Sequence, residues 1–176
     1  MTIYVTRHGQ TPWNEQNLVC GVTDISLSPA GKQQAEELAL ILENKPLDLV
    51  FSSPLARAME TAKTICSKWN LQCIPDKRLI EQNYGVFEGA RRDDPDFLTA
   101  RRQFASRFPE GESTLELAQR VYQFLDDLKQ EHIGQNVLLV CHNYVARVIR
   151  SYFVDMTNDD FFDYHLENCA LEEYTA

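Results

Sequence analysis

Asn136-Val137-Leu138-Leu139-Val140-Cys141-His142-Asn143 is the stretch on which the fold of this chain turns. Asn136 to Cys141 is long enough for a buried central strand and too short for a helix. Its apolar run stops at His142. From Tyr144 to Phe153, Val145, Val148, Ile149 and Tyr152 recur at helical spacing. A buried strand that feeds straight into a helix is the unit of an α/β protein.

The same alternation runs through the rest of the chain. Thr2 to Thr6 reads as a first strand by β-propensity. Ser28-Pro29 marks a helix start, with the serine as N-cap and the proline at the first helical position. Ala35, Leu38, Ala39 and Leu42 then form its buried face. Leu47 to Phe51 predicts a second strand. Ser53-Pro54 repeats the start signal, with Ala58, Ala62, Ile65, Cys66 and Trp69 facing inward behind it. Cys73-Ile74 fits a short strand. Ser113-Thr114-Leu115-Glu116 is a capping box, followed by Ala118, Val121, Tyr122 and Leu125 on one helix face. The expected architecture is a three-layer α/β/α sandwich with a mainly parallel central sheet. Residues 1–176 read as one domain, because length suits one core and no repeat or linker interrupts it.

Composition narrows the classes. The chain has 17 lysines and arginines against 26 acids, a formal charge of −9, which speaks against nucleic acid as a partner. The apolar run Val137 to Cys141 is far short of the ~20 residues of a membrane helix, and Met1 to Val5 carries no signal-peptide pattern. Five cysteines without C-x-x-C spacing point to reduced thiols and a cytoplasmic protein. The acidity is uneven. Residues 151–176 hold seven acids and no lysine or arginine, so residues 1–150 are nearly neutral. A small anionic substrate is therefore compatible with the net charge.

The chemistry sits at the strand-to-helix junctions. The first strand runs into Arg7-His8-Gly9-Gln10-Thr11, the second into Ser52-Ser53-Pro54-Leu55-Ala56-Arg57, and the later one into Cys141-His142-Asn143. Ligands of open α/β sheets bind at the carboxyl ends of strands. Arg7, His8, Arg57 and His142 can thus meet at one rim as an anion site, since helix N-termini and arginines both favour phosphate. Histidine can act as nucleophile, and a carboxyl can protonate the departing oxygen. Glu81 and Glu88 are the candidates for that carboxyl. Apolar neighbours such as Ile80 and Val86 are expected to raise the pKa of Glu81. The alternative is a metal site of His8, His142, Cys141 and Glu81, which the nearby arginines oppose. His132 and His165 lie outside the junctions and read as structural.

Together these segments resemble the histidine phosphatase superfamily, its phosphoglycerate mutase-like branch. The resemblance rests on Arg7-His8-Gly9-Gln10-Thr11-Pro12-Trp13-Asn14, Leu27 to Gly31, Ser52 to Ala62, Glu81 to Gly89, Pro109 to Ser113 and Val137 to Arg147. It implies a phosphoglycerate mutase-like fold and a nucleophilic His8 that becomes phosphohistidine. It implies a phosphate pocket of Arg7, Arg57 and His142, with Asn14 as a further contact. Glu81 is then the proton donor and Glu88 a structural glutamate. The backbone N–H of Asn143 is expected to face the phosphate, and Gly21 and Thr23 sit where relatives contact substrate. No metal or organic cofactor is implied.

Two departures bear on function. Cys141-His142-Asn143-Tyr144 replaces the small residue and glycine that flank the second histidine in many relatives, which should narrow the pocket. Only Ala90 to Glu110 separates Glu88-Gly89 from Gly111-Glu112-Ser113, a short cap where true mutases carry a longer insertion. A mutase must exclude water while its phosphoenzyme waits. The reading is therefore a phosphomonoester hydrolase acting through phosphohistidine on a small phosphorylated metabolite, as a monomer. Its alternatives are a phosphoglycerate mutase and a non-catalytic module that binds a phosphorylated ligand. The five arginines of the 91–107 segment read as a solvated helix face in preference to a substrate handle.

Overall fold

The computed structural model describes residues 1–176. In chain order the elements are β1 (Thr2–Arg7), α1 (Pro12–Glu15), α2 (Pro29–Leu42), β2 (Leu49–Ser52), α3 (Ala56–Trp69), β3 (Cys73–Pro75), α4 (Pro95–Ala100), α5 (Thr114–Glu131), β4 (Val137–Cys141), α6 (Asn143–Phe153), α7 (Asn158–Asp163) and β5 (Leu171–Thr175). The strands form one five-stranded sheet in the order β3-β2-β4-β1-β5. Only β5 runs antiparallel, against β1.

The strand period of two explains the layers. Ile3, Val5, Val137, Leu139 and Cys141 share one core with Leu117, Val121, Phe124 and Leu125 of α5 and Val145, Val148 and Ile149 of α6. Tyr4, Val50, Leu138 and Val140 point the other way, into a core with α2 and α3. All five residues of β4 are buried, as a central parallel strand requires.

β1 and β4 are parallel neighbours in register, with Arg7 opposite Cys141. The chain leaves β1 for α2 on one face and leaves β4 for α6 on the other. This is the switch point where an α/β sheet opens a crevice at its carboxyl edge. The His8 N–H donates to the Cys141 carbonyl at 3.0 Å, so the residues after both strands emerge side by side.

Ser28 caps α2 and Ser113 caps α5 through a capping box, as expected. Three expectations change. α3 begins at Ala56 behind Leu55, not behind Ser53. The Ser53 hydroxyl instead lies 2.8 Å from His142 Nε2. The inward face of α5 is Leu117, Val121, Phe124, Leu125 and Leu128, while Ala118 and Tyr122 are half-buried beside it. The C-terminal segment adds α7 and the edge strand β5, whose alternation its acidic residues hid from sequence reading. Those acids pair with bases of the body: Glu173 with Lys45, Glu172 with Arg150, and Asp159 with Arg102. No helix is long and apolar enough to cross a membrane.

Leu139 lies fully buried between Val5 and Phe51 in the register of β4. Leu139→Ala should lower unfolding free energy by about 2–5 kcal/mol, read from urea titration. A change within error would contradict this account of the core.

Candidate active site

The crevice is a cavity of about 520 Å³ lined by Arg7, His8, Asn14, Glu81 and Asn143 among others. Arg57 and His142 are fully buried and stand behind His8. The His8 and His142 rings meet edge to face, with centroids 5.1 Å apart. Residues from three strand ends and one loop thus converge, as the junctions predicted. Gly21 and Thr23 do not reach the cavity wall. Their carbonyls accept hydrogen bonds from Arg57, at 2.6 Å from Nη2 to Gly21 and 2.9 Å from Nη1 to Thr23.

The tautomer of His8 follows from its neighbours. A carbonyl only accepts, and the Gly9 carbonyl lies 2.7 Å from Nδ1, so Nδ1 carries the proton. A guanidinium only donates, and Arg57 Nε lies 3.2 Å from Nε2, so Nε2 offers its lone pair. Burial first, then the charges of Arg57 and Arg7, push the His8 pKa well below its ordinary value. The imidazole is therefore neutral, and its electron pair at Nε2 accepts from Arg57.

A relay of contacts fixes Arg57. The Glu88 carboxylate accepts from the N–H groups of Gly21, Val22, Thr23 and Tyr84 and from the Thr23 hydroxyl, the last at 2.7 Å. It holds the loop whose carbonyls grip Arg57, and it takes no place on the cavity wall. A Cβ at Gly21 would collide with the Gln82 carbonyl and this carboxylate, so the loop requires glycine there. From the other side, Thr61 on α3 accepts the Gly9 N–H at 3.1 Å.

Glu81 faces the same cavity and is 5% exposed. Its two oxygens accept the N–H groups of Gln82 at 3.0 Å and Tyr144 at 3.1 Å. Burial outweighs these bonds and raises the pKa of its carboxyl. The cavity wall around it holds Tyr84 and Tyr144. Val86 is 57% exposed, so it is not the apolar neighbour that sequence reading expected.

Arg7 is buried, and burial with the charge of Arg92 lowers its pKa to about 10. Its Nη1 donates to the Leu166 carbonyl at 3.0 Å and to His165 Nε2 at 3.2 Å. His165 lines the cavity, contrary to the purely structural role expected for it. The connection from α7 to β5 carries it there, and no local pattern announces that path. His132 packs on Phe51 and Nδ1 meets Gln135, away from the site. The Asn143 side chain accepts the Leu166 N–H at 2.9 Å, which anchors the segment that holds Arg7. Buried Arg7 Nε and His142 Nδ1 have no protein partner. His8, Glu81, Cys141 and His142 do not gather as three or more possible metal ligands.

The arginines of the 91–107 segment divide. Arg91, Arg102 and Arg107 pair with Asp93, Asp159 and Glu116. Arg92 and Arg101 face the cavity, which corrects the expectation of a wholly solvated face.

Comparison with known proteins identifies the family. A family model described as histidine phosphatase superfamily (branch 1) matches residues 3–176. The chain belongs to the histidine phosphatase superfamily. "Putative phosphoserine phosphatase 2" of Hydrogenobacter thermophilus is 32% identical over 97% of this chain and 87% of its own. "Probable phosphoglycerate mutase GpmB" of Yersinia pestis is 32% identical over 97% and 83%. A mycobacterial glucosyl-3-phosphoglycerate phosphatase, solved with VO3, superposes with a TM-score of 0.86 at 26% identity, covering 98% of this chain and 90% of its own. This histidine phosphatase superfamily member therefore shares fold and near-full length with proteins named as phosphatases and as a mutase.

The His8 environment makes a spectroscopic prediction. In ¹⁵N-detected NMR, His8 should show the Nδ1–H tautomer and stay neutral as pH falls below ~6.5. Arg57→Met should raise its pKa while leaving it below that of a free histidine, because burial is the larger cause. Titration of wild-type His8 at or above ~6.5 would contradict the assignment.

Proposed function

We propose that the protein is a phosphomonoester hydrolase that works through a phosphohistidine on His8. The observation that carries this reading is the orientation of the His8 ring, whose Nδ1–H donates to the Gly9 carbonyl and whose Nε2 lone pair is thereby turned towards Arg57. In the first step Arg57 Nε passes its hydrogen bond from Nε2 to a phosphoryl oxygen, Nε2 attacks phosphorus, the bond from phosphorus to the ester oxygen breaks, and Glu81 gives that oxygen its proton. In the second step water attacks phosphorus, Glu81 takes a proton from it, and the bond to Nε2 breaks. Alcohol and inorganic phosphate leave, and His8 and Glu81 return to their starting states.

Arg7 and Arg57 supply positive charge and N–H donors to the phosphoryl oxygens, and His142, kept neutral by burial, supplies an N–H donor. The unpartnered Arg7 Nε and His142 Nδ1 support that role. Ser53 can donate its hydroxyl to His142 Nε2, which leaves the His142 proton on Nδ1 for the substrate. Asn14 adds a polar edge to the wall, although its Oδ1 already accepts the Thr11 N–H at 3.0 Å. At the start of α6 the Tyr144 N–H is taken by Glu81, and the Asn143 N–H is the one assigned to phosphate. Gly21 and Thr23 act through Arg57.

The short cap favours hydrolysis over mutase chemistry. Ala90 to Glu110 contains one six-residue helix, α4, which contributes Phe97 to the cavity wall. So brief a cover leaves a phosphohistidine within reach of water. The names of relatives include a phosphoserine phosphatase and a glucosyl-3-phosphoglycerate phosphatase, consistent with a small phosphorylated substrate. Five free cysteines support a reducing, cytoplasmic setting. Large exposed apolar side chains sit on separate elements, Leu40 and Ile41 on α2 and Leu115 on α5, in keeping with a monomer.

The test is turnover of an aryl phosphate with chelator present. His8→Ala should lose at least ~10³-fold in kcat, and wild type should lose activity as pH rises through the raised pKa of Glu81. Glu81→Gln should slow turnover of alkyl esters more than of aryl esters, whose leaving oxygen needs less protonation. Equal rates for wild type and His8→Ala would sink the reading. Phosphoglycerate interconversion outrunning phosphate release would establish the mutase instead.

A further inference from the structure

The cavity continues past His8 and Glu81 to Arg147, which the sequence places on the otherwise apolar inward face of α6. Arg147 is 2% exposed and has no carboxylate within ion-pair distance. Its Nη2 donates to the Tyr164 carbonyl at 2.7 Å, and its guanidinium packs 4.6 Å from the Tyr144 ring centroid. Its Nε and Nη1 are buried with no hydrogen-bond partner. A buried cation with unmet donors is costly unless an anion completes it. Arg101 stands beside it on the same wall, with one Nη2 bond to the Phe162 carbonyl at 3.2 Å and no acid paired to it.

The charge of the whole cavity points the same way. Arg7, Arg92, Arg101 and Arg147 face it, with Arg57 behind, and the facing carboxyls are Glu81 and Asp163. In the proposed first step Glu81 is protonated. Four facing guanidiniums and Arg57 behind them then meet one carboxylate, and a phosphomonoester brings at most two negative charges. Positive charge remains, and Arg101 and Arg147, which donate to the Phe162 and Tyr164 carbonyls, carry a share of it. Tyr144 ties the two ends together: its N–H holds Glu81 and its ring carries Arg147.

We propose that Arg147, with Arg101, holds a second anionic group on the leaving-group side of the substrate. The inference rests on the phosphomonoesterase reading and deepens it: the preferred substrates are small phosphate esters that carry a carboxylate or a second phosphate. Arg147 is then a specificity-determining residue, and it takes no part in bond making.

The test uses four esters on one three-carbon frame. They are propyl phosphate, the phosphate ester of hydroxypropanoate, the bisphosphate of propanediol, and aminopropyl phosphate. KM and kcat are measured for each with wild type, Arg147→Met and Arg147→Lys, and Kd by calorimetry with His8→Ala. Wild type should favour one or both anionic tails over propyl phosphate by roughly 10- to 100-fold in KM, with aminopropyl phosphate weakest. The better anionic ester tells whether carboxylate or phosphate fits. Arg147→Met should collapse the KM ratio between anionic and neutral tails towards one, and Arg147→Lys should restore part of it. Should Arg147→Met fail to fold, the wild-type KM series and the Kd series still decide. Equal KM and equal Kd for propyl phosphate and both anionic esters would overturn the proposal, as would a ratio preserved in Arg147→Met. Absence of all turnover with tail-dependent Kd values intact would overturn the hydrolase reading and leave the second anion site standing.

Discussion

Arg57 is fully buried, and no carboxylate pairs with it. Its charge is met by two carbonyls and the lone pair of His8. Burying a guanidinium in this way costs several kcal/mol unless its donors are satisfied. The loop from Gly21 to Thr23 exists in its conformation to satisfy them, and Glu88 with its five donors holds that loop in place. The same guanidinium fixes the tautomer of His8 and, with burial, keeps the imidazole neutral. Structure, protonation and reactivity at the site therefore trace to one uncompensated positive charge. The phosphoryl group is the anion whose arrival relieves it.

That constraint also reconciles the acidic chain with an anionic substrate. Three acids of the carboxyl-terminal segment, Glu173, Asp159 and Glu172, are engaged with Lys45, Arg102 and Arg150, and of the seven only Asp163 lines the cavity. Outside the cavity, most arginines of the cap segment are paired as well. The unpaired arginines collect where the sheet opens. Net charge is a property of the surface as a whole, whereas binding depends on the local field of a cleft with low-dielectric walls.

The parallel sheet and its two helix layers were legible from periodicity, because β4 is buried on both faces and α2 carries a strong cap and a clean apolar stripe. The start of α3 was misplaced, since the Ser53 hydroxyl serves His142 and not the helix. β5 is hidden in the sequence because its consecutive acids lie on opposite faces of an edge strand, Glu172 paired with Arg150 and Glu173 with Lys45. At the site, His8, Arg7, Arg57, Glu81 and His142 could be nominated from strand ends and from the family resemblance. His165 could not, because its place depends on how a loop 158 residues beyond Arg7 returns to β1. Arg147 does leave a trace in the sequence, a lone charge on an apolar helix face. The roles of Gly21 and Thr23 differ from the expectation for a related reason: the family resemblance implies that the loop approaches the site, and only geometry shows that it does so through carbonyls on Arg57.

The central claim is that His8 Nε2 accepts the phosphoryl group. Rapid acid-free quenching of wild type during turnover, followed by peptide mapping under alkaline conditions that preserve phosphohistidine, tests it most directly. The account predicts a phosphoryl group on the peptide containing His8, formed and lost at rates that match turnover, and absent in His8→Ala. A phosphoryl group on another residue, or full turnover with no phosphorylated peptide under conditions that trap the intermediate, would contradict it.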